Sequence, residues 1–453
     1  MKSILGTFVA FLAVAMSAQA AFVKQPYLQN LMDTSMVVRW ETSTAQTGKV
    51  QYGLTPGYGQ EVTDPSSTTQ HELRLPTLLR DTLYHYRAIS GSDTSADALF
   101  HTPVATNKPF RFIVYGDDRT DSASHQAVIN RMTLVNPPPG FLLQVGDLTA
   151  TASTADYQTF FNIERGILAR AAMFPSIGNH DVADTVVNWH TLFALPNNEH
   201  WYSFRYGNSA FHCLDLYSTY STGSAQYNWF LSELLADSAD PSIRHIFVWF
   251  HEPPYTTNSG HSSNTTVRQY ICPLLERFHV QIAFQGHNHC YEHSLVNGVH
   301  YLLTGGGGAP LYTGWGPVQP WTVYRETTLE FVLVDVRGDT IFSRGIRPDG
   351  TELDTLLLVG SSTGVHKEPG HVPMLSERGI EPRPNPFAVF TTVPGHEFER
   401  FKLYDSSGRR VGTYLGARIG QGLPPGVYFL APVRSAGHPE GQAKKRIEIV
   451  KVR

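Results

Sequence analysis

Five short apolar runs between residues 110 and 284 each end in a small polar cluster. In chain order the clusters are Gly116-Asp117-Asp118-Arg119, Gly146-Asp147, Gly178-Asn179-His180-Asp181, His251-Glu252-Pro253-Pro254 and Gly286-His287-Asn288-His289. Segments of helical periodicity, such as 227–235 and 267–278, alternate with these runs, which predicts an α/β domain with buried strands. Because ligands in open α/β sheets bind beyond the carboxyl ends of strands, we expect the clusters to converge on one site.

The polar side chains of these clusters form a consistent set of metal donors. They are Asp117, Asp147, Asn179, His251, His287 and His289, with His180 beside them. Oxygen and nitrogen donors without sulfur suit Zn, Fe or Mn. The set exceeds what one ion needs and suits two ions about 3.5–4 Å apart that share a carboxylate. Such a pair lowers the pKa of a water and clamps both oxygens of a phosphoryl displacement.

The motif series GDD, GDL, GNHD, HEPPY and GHNH resembles the calcineurin-like metallophosphoesterase superfamily, in its purple-acid-phosphatase-like branch. The resemblance covers residues 22 to about 358. It implies a dinuclear enzyme that hydrolyses phosphate monoesters by attack of a metal-bridging hydroxide. The metals would be two divalent or trivalent ions of Fe, Zn or Mn. The substrate would be a phosphorylated small molecule or polymer.

The resemblance also implies a role for each donor. Asp117 and His289 would bind one metal. Asn179, His251 and His287 would bind the other, with Asp147 bridging the two. His180 would stabilise charge or protonate the leaving oxygen, and Asp181 would orient His180.

Three positions differ from the family pattern or extend it. Ala150 stands where purple enzymes carry a metal-bound Tyr, so the first metal need not be ferric. Arg119 stands where the superfamily often has His or Gly. Its planar fork suits a phosphate of the substrate, and a surface ion pair is the alternative. His261 lies in the loop after HEPPY, where the branch often has a His that faces the substrate.

The sequence predicts a multidomain architecture. Residues 22–104 show short strands with period-two character, which predicts a β-sandwich, and the family resemblance makes it fibronectin-III-like. Residues 108–358 would form the catalytic domain, a β-sandwich flanked by helices. Residues 360–380, rich in Gly, Ser and Pro, read as a linker. Residues 381–453 predict a third, small β-sandwich.

The first 20 residues predict a secretory signal peptide. Lys2 is followed by an apolar run over residues 4–16 and by Ala18-Gln19-Ala20, a small-x-small cleavage site. The run is shorter than the roughly 20 residues of a transmembrane helix, so we expect export after cleavage near Ala20 and no transmembrane anchor. The three cysteines allow at most one disulfide, whose pairing the sequence leaves open. They are Cys213, Cys272 and Cys290.

The C-terminal segment resembles the bacterial type IX secretion sorting domain. The similarity rests on Pro384-Asn385-Pro386-Phe387, on residues 403–411 and on Gly426-Val427-Tyr428-Phe429. It implies a secreted or cell-surface bacterial protein with the type IX machinery as partner. An ordinary accessory sandwich is the alternative.

Two other functions compete with a phosphomonoesterase. A phosphodiesterase or nucleotide-cleaving enzyme would use the same donors, and a non-catalytic cell-surface binding protein would have lost the reaction. The 35 Lys and Arg against 39 Asp and Glu give a net charge of -4, which supports no nucleic-acid-binding domain. The physiological substrate, the metal identities, the pH optimum and the oligomeric state do not follow from the sequence.

Overall fold

The computed structural model of the protein describes residues 22–183 and 186–359. Nearer the C-terminus it describes 400–405, 409–415, 419–420, 423–424, 426–432 and 447–451. The chain divides into two compact units, residues 1–366 and 367–453. The predicted signal peptide and the predicted linker 360–380 lie outside the described residues. Within the described ranges, no helix has the length and apolar character to cross a membrane.

The chain begins with six strands that are hydrogen-bonded into one antiparallel sheet. They are β1 (Phe22–Met32), β2 (Ser35–Gly53), β3 (Gln60–Leu75), β4 (Leu83–Ser90), β5 (Asp93–Thr94) and β6 (Ala98–His101). Burial alternates along β4, which confirms the period-two prediction there. The buried Trp40 stacks on His71 at 4.6 Å between ring centroids and donates to Ser90 Oγ at 2.8 Å.

The central region contains two sheets. The first has six strands in the order β19-β18-β17-β7-β8-β9, and the second has seven in the order β10-β11-β12-β13-β15-β14-β16. Strands of the first sheet are β7 (Phe110–Tyr115), β8 (Phe141–Gln144), β9 (Ala172–Pro175), β17 (Phe331–Arg337), β18 (Thr340–Ile346) and β19 (Glu352–Val359). Strands of the second sheet are β10 (Tyr202–Tyr206), β11 (Ser209–Cys213), β12 (His245–Trp249), β13 (Ile282–Gln285), β14 (Tyr291–Val296), β15 (Val299–Thr304) and β16 (Thr322–Glu326).

Parallel pairing in both sheets brings strand ends together. In the first sheet β7, β8 and β9 are parallel neighbours, and in the second β11, β12, β13 and β15 are. Phe112 of the first sheet meets Phe211 and Phe247 of the second edge-on, each at 5.2 Å between ring centroids. The inner faces of the two sheets therefore pack on each other through aromatic side chains.

Six helices accompany the central sheets. They are α1 (Ser122–Met132), α2 (Thr154–Leu168), α3 (Val187–Leu192), α4 (Ala225–Ala239), α5 (Thr265–Tyr270) and α6 (Cys272–Arg277). Four begin at a side chain that accepts hydrogen bonds from the first-turn amides, as N-cap residues do. These caps are Asp121, Ser153, Ser224 and Asn264.

The three cysteines are free and buried, so no disulfide links them. Cys213 ends β11, Cys272 begins α6, and Cys290 directly precedes β14. The sequence left their pairing open, and in the structure each thiol packs separately in the interior. Burial raises the pKa of the Cys272 thiol to about 12, which keeps it protonated and unreactive.

The C-terminal unit contains an antiparallel sheet in the order β21-β20-β22-β23. Its strands are β20 (Arg400–Asp405), β21 (Arg410–Leu415), β22 (Gly426–Pro432) and β23 (Ile447–Lys451). Phe401, Leu403 and Leu430 are buried in a small core of its own. The predicted sorting motif at 384–387 and the rest of 381–399 lie outside the described residues.

Candidate metal centre

Strand ends from both central sheets deliver the predicted donors to one place. Asp117 follows β7, Asp147 follows β8 and Asn179 follows β9 in the first sheet; His251 follows β12, and both His287 and His289 follow β13 in the second. The convergence predicted from the sequence is therefore present. It occurs where two sheets meet rather than along one sheet.

The backbone at the strand ends is strained. Asp117, Asp147 and His287 have φ values of 55°, 60° and 71°, a region that residues with a side chain seldom adopt and that clusters at functional sites. Glycines permit the close approach around them: a Cβ on Gly178 would lie 2.3 Å from Asp147 Oδ1, and one on Gly286 would lie 2.3 Å from Asp117 Oδ2.

One half of the centre is rich in nitrogen. His251 Nε2 lies 3.2 Å from Asn179 Oδ1, 3.2 Å from His287 Nδ1 and 3.4 Å from Asp147 Oδ1. Separations of this size are those between neighbouring ligands of one tetrahedral ion with bonds of about 2.0–2.1 Å. We call these four residues the His-rich half-site.

The other half is formed by Asp117, His289 and Asp147, which we call the Asp117 half-site. The atoms offered by these three residues all lie within 4.8 Å of one another. His289 Nε2 is 3.6 Å from Asp117 Oδ1. Asp117 Oδ1 is buried and accepts no hydrogen bond from any described residue, whereas Asp117 Oδ2 accepts one from the His287 amide at 2.8 Å. A cation is the kind of partner that such an oxygen lacks.

Backbone carbonyls set the orientation of two of the imidazoles. His251 Nδ1 lies 2.8 Å from the carbonyl of Val145, and His289 Nδ1 lies 2.7 Å from that of Pro310. Because a carbonyl only accepts, each Nδ1 carries the hydrogen and each Nε2 faces the centre. Metal-binding histidines are held in this way.

Burial and neighbouring charges shift the pKa values of these groups. Burial raises the pKa of Asp117 to about 8 and, with the charge of His251, lowers the pKa of His287 to about 2. Burial also lowers the pKa of His289 to about 4. Burial acts against charge on Asp147 and His251 too, but their mutual attraction outweighs it. The pKa of Asp147 therefore lies below its usual range, and that of His251 rises to about 10.

His180 lies beside the centre, and Asp181 has other partners than the ring of His180. The ring of His180 is held by the Ala150 carbonyl at 2.7 Å from Nδ1, and its Nε2 lies 3.9 Å from Asp147 Oδ2 at a partly exposed face. The expectation that Asp181 orients His180 is therefore wrong. The buried Asp181 instead accepts from the backbone amides of Asp147, Gly178 and Leu148 at 2.8, 2.9 and 3.1 Å. It fixes the loop that carries the central carboxylate.

Arg119 points into the centre. Its Nε lies 3.1 Å from Asp147 Oδ2 and its Nη2 lies 3.3 Å from His289 Nε2. Only 13% of the side chain is exposed. Arg119 therefore does form an ion pair, but with a buried candidate metal ligand rather than on the surface.

His261 lies beside the centre, stacked on His287 at 3.8 Å between ring centroids. Burial lowers its pKa from the usual value. Tyr312 was not predicted from the sequence. Its ring stacks on His289 at 4.1 Å between ring centroids, and its hydroxyl is 3.4 Å from His261 Nε2. Its loop, after the Gly305–Gly308 run, has no pattern that reveals this approach. His261 and Tyr312 together form one wall of the site.

A second group of ligand-type side chains lies behind the centre. We call it the buried cluster. It consists of Asp118, His125 and Glu164, whose ligand-type atoms all lie within 4.8 Å of one another. His125 Nε2 is 3.0 Å from Glu164 Oε1 and 3.4 Å from Asp118 Oδ2. The sequence motifs did not reveal this cluster, because its members lie on a strand end, on α1 and on α2.

The donors at the strand ends fit two metal ions. They comprise two carboxylates, one amide oxygen and three imidazoles with a free nitrogen turned inwards, and Asp117 Oδ1 is a buried oxygen without a hydrogen-bond donor. Two carboxylates beside four neutral ligands are the donor chemistry of hard-to-borderline ions. Asp147 takes part in both half-sites, as a bridging carboxylate would.

Comparison with known proteins agrees with this arrangement. Residues 110–291 match the sequence profile of the family described as "Calcineurin-like phosphoesterase". The matched segment contains all of the strand-end donors, and it is similar in sequence to calcineurin-like phosphoesterases.

Proteins with similar sequences indicate which kind of phosphoesterase this chain resembles. An uncharacterised Mycobacterium tuberculosis protein is 26% identical over 321 residues, covering 58% of this chain and 60% of that protein. Purple acid phosphatase 15 of Arabidopsis thaliana is 25% identical over 292 residues, covering 52% of this chain and 53% of the relative. This chain thus spans between half and two thirds of the length of these relatives. The protein is purple-acid-phosphatase-like in sequence.

The fold agrees as well. The structure of the purple acid phosphatase PPD1 from yellow lupin (Lupinus luteus) seeds superposes with a TM-score of 0.65 at 17% identity, and the match covers 74% of each chain. At this identity the likeness concerns the fold.

Proposed function

We propose that this protein is a dinuclear-metal phosphoesterase that hydrolyses phosphate monoesters. The observation that carries the proposal is the pair of half-sites joined by Asp147. It is supported by the family profile over the same strands and by relatives named as purple acid phosphatases. Fe, Zn and Mn are the ions the donor set suits.

The candidate site residues have distinct roles in this proposal. The Asp117 half-site and the His-rich half-site hold one ion each. When bound, such ions activate water and neutralise charge on the phosphoryl oxygens. Asp181 holds the Asp147 loop through three backbone amides, which keeps the half-sites in register.

His180 serves the leaving group. Its backbone amide donates to Asp147 Oδ1 at 2.9 Å, and the Ala150 carbonyl fixes its ring. The hydrogen on Nδ1 is engaged by that carbonyl, so Nε2 is the atom that faces the open side. When the ring is doubly protonated, Nε2 carries a second hydrogen, and this proton can pass to the departing alcohol oxygen while the hydrogen on Nδ1 stays with the Ala150 carbonyl.

One preparation of the full-length protein tests the proposal. Metal content is measured by elemental analysis, and hydrolysis is measured on an aryl phosphate, a bis-aryl phosphate and nucleotides, before and after chelation. We expect two ions per chain, fastest turnover of the monoester, and recovery of activity when metal is restored. Faster cleavage of the diester would point to the phosphodiesterase alternative. Fewer than two ions at saturation with no turnover would favour the binding protein.

We also propose that the protein is exported and that residues 381–453 direct it to the type IX machinery. Support comes from the sequence features of residues 1–20 and of the C-terminal motifs. Expression in a bacterium with that pathway, with and without residues 381–453, tests the proposal. We expect the full chain at the cell surface or in the medium and the shortened chain in the periplasm. Equal distribution of both would contradict it.

A further inference from the structure

The guanidinium of Arg119 lies against the ligands of the Asp117 half-site, which are also the groups that a cation would contact there. It contacts two of the three ligands of that half-site, Asp147 through Oδ2 at 3.1 Å and His289 through Nε2 at 3.3 Å. The third contact of the side chain, from Nη1 to Thr120 Oγ1 at 3.2 Å, is to its chain neighbour.

The contact with His289 uses the lone pair that a metal needs. His289 Nδ1 carries the hydrogen because it faces the Pro310 carbonyl at 2.7 Å. Nε2 of the neutral ring is therefore an acceptor, and Arg119 donates to it. An ion and the guanidinium cannot use this lone pair at the same time. A carboxylate oxygen has more than one lone pair, so at Asp147 Oδ2 the guanidinium competes with an ion through its positive charge and the space it occupies.

The His-rich half-site has no such competitor among the described residues. The contacts of His251 Nε2 are with Asn179, His287 and Asp147, and all three are themselves candidate metal ligands. The two half-sites are therefore unequal although they share a carboxylate. In the Asp117 half-site, the positive side chain on the shared carboxylate is Arg119, a permanently charged group that is not itself a candidate metal ligand, whereas in the His-rich half-site it is the candidate ligand His251.

We infer that Arg119 is a built-in competitor for the ion of the Asp117 half-site, which binds only when the guanidinium swings away. The inference rests on the proposed metal centre and concerns how that centre is loaded. The His-rich half-site fills first and at lower metal concentration. Once displaced, the guanidinium remains next to the centre, where its planar fork can bind the phosphoryl oxygens of a substrate.

Calorimetric titration of the metal-depleted, full-length protein with Mn²⁺ and with Zn²⁺ tests this inference. We expect two binding events of different affinity in the natural protein. In Arg119→Gln the weaker event should become at least about tenfold tighter, because a positive charge a few ångströms from the ion is removed. In Arg119→Lys, which keeps the charge, the weaker event should remain the weaker one. At a free metal concentration between the two affinities of the natural protein, elemental analysis should count one ion in the natural protein and two in Arg119→Gln, whereas at saturation both should hold two.

Arg111→Gln is the matched control. Its side chain has the same 13% exposure and is paired with Asp335, but it lies at the amino end of β7, away from the centre. It should leave both affinities unchanged, and circular dichroism checks that each variant is folded. Identical binding curves for the natural protein and Arg119→Gln would overturn the inference. Absence of any metal binding in all of the proteins would instead refute the proposed metal centre itself.

Discussion

The strand-end centre and the buried cluster contain the same kinds of side chain but have different surroundings. Both bring a histidine and two carboxylates within metal-ligand distance. In the buried cluster, Gln144 donates to Asp118 Oδ1 at 2.7 Å and Tyr115 donates to Glu164 Oε2 at 2.6 Å. All its members are at most 3% exposed as side chains. The strand-end centre opens to solvent beside His180, which is 32% exposed.

The difference shows that proximity of ligand-type residues does not by itself make a reaction site. Access for a substrate and a group that can exchange protons with it are also needed. The buried cluster has neither, and it joins β7, α1 and α2 from the interior. We therefore assign chemistry to the strand-end centre and structural support to the buried cluster.

The largest effect is expected when the shared carboxylate is changed. Asp147→Asn should reduce hydrolysis of an aryl phosphate by more than about 100-fold, the upper size usual for residues that only contact a ligand, and should lower the metal content. Steady-state kinetics and elemental analysis measure this. Asp237→Asn is the control, since Asp237 is equally buried and paired with His212, but lies on α4. Activity above a tenth in Asp147→Asn would remove Asp147 from the centre.

A smaller loss is expected at His180. His180→Asn should lower kcat about 100-fold for an alkyl phosphate, since general acids contribute at least about that much. An aryl phosphate, whose leaving group departs without a proton, should be affected less. The ratio of the two rates is the measurement, with metal content as the control. An equal loss on both substrates would argue against proton donation by His180.

The buried cluster should respond in stability rather than in catalysis. In Glu164→Gln one of the donors from Tyr115 and His125 loses its acceptor, so the free energy of unfolding should fall by about 1–3 kcal/mol. The kcat of the folded variant should change little. Urea unfolding and kinetics on one preparation measure both. Glu233→Gln on α4, which loses one hydrogen bond at a partly exposed position, is the milder control. A tenfold loss of kcat in folded Glu164→Gln would break the comparison.

The last prediction concerns how the destabilisation caused by Glu164→Gln changes with pH. Burial raises the pKa of Glu164 from 4.5 to about 8. The folded protein therefore retains a proton that the unfolded chain releases above about pH 4.5. The resulting stabilisation is complete at low pH and is lost as the pH rises through about 8. The destabilisation by Glu164→Gln should accordingly be larger near pH 5 than near pH 8. Urea unfolding at both pH values measures it, and a difference that grows with pH would contradict the assignment.

The sequence was sufficient for the parts of the site that follow from strand geometry. Asp147 and His251 each follow an apolar run, and parallel strands must place their carboxyl ends at one edge. The loops were harder, because their contacts depend on backbone dihedral angles. Asp181 accepts backbone amides because Asp147 adopts a positive φ. No pattern of residue types encodes that turn.

Contacts between distant segments were not predictable either. His125 on α1 and Glu164 on α2 meet only after two helices pack, and Tyr312 reaches His289 from a loop without periodicity. The sequence singles out Arg119, but it leaves open whether the side chain points towards a substrate phosphate or forms a surface ion pair. Its side chain turns inwards because the carboxylate of Asp147 is the charge that its guanidinium reaches.

The three buried thiols give the central region an internal reporter of its own opening. None is available to a reagent in solution while the surrounding strands and α6 stay packed. A thiol-labelling rate therefore measures how often each neighbourhood opens. Cys290 lies next to His289, whereas Cys213 ends β11. Comparing their labelling with and without added metal would show how far metal binding tightens the domain beyond the site itself.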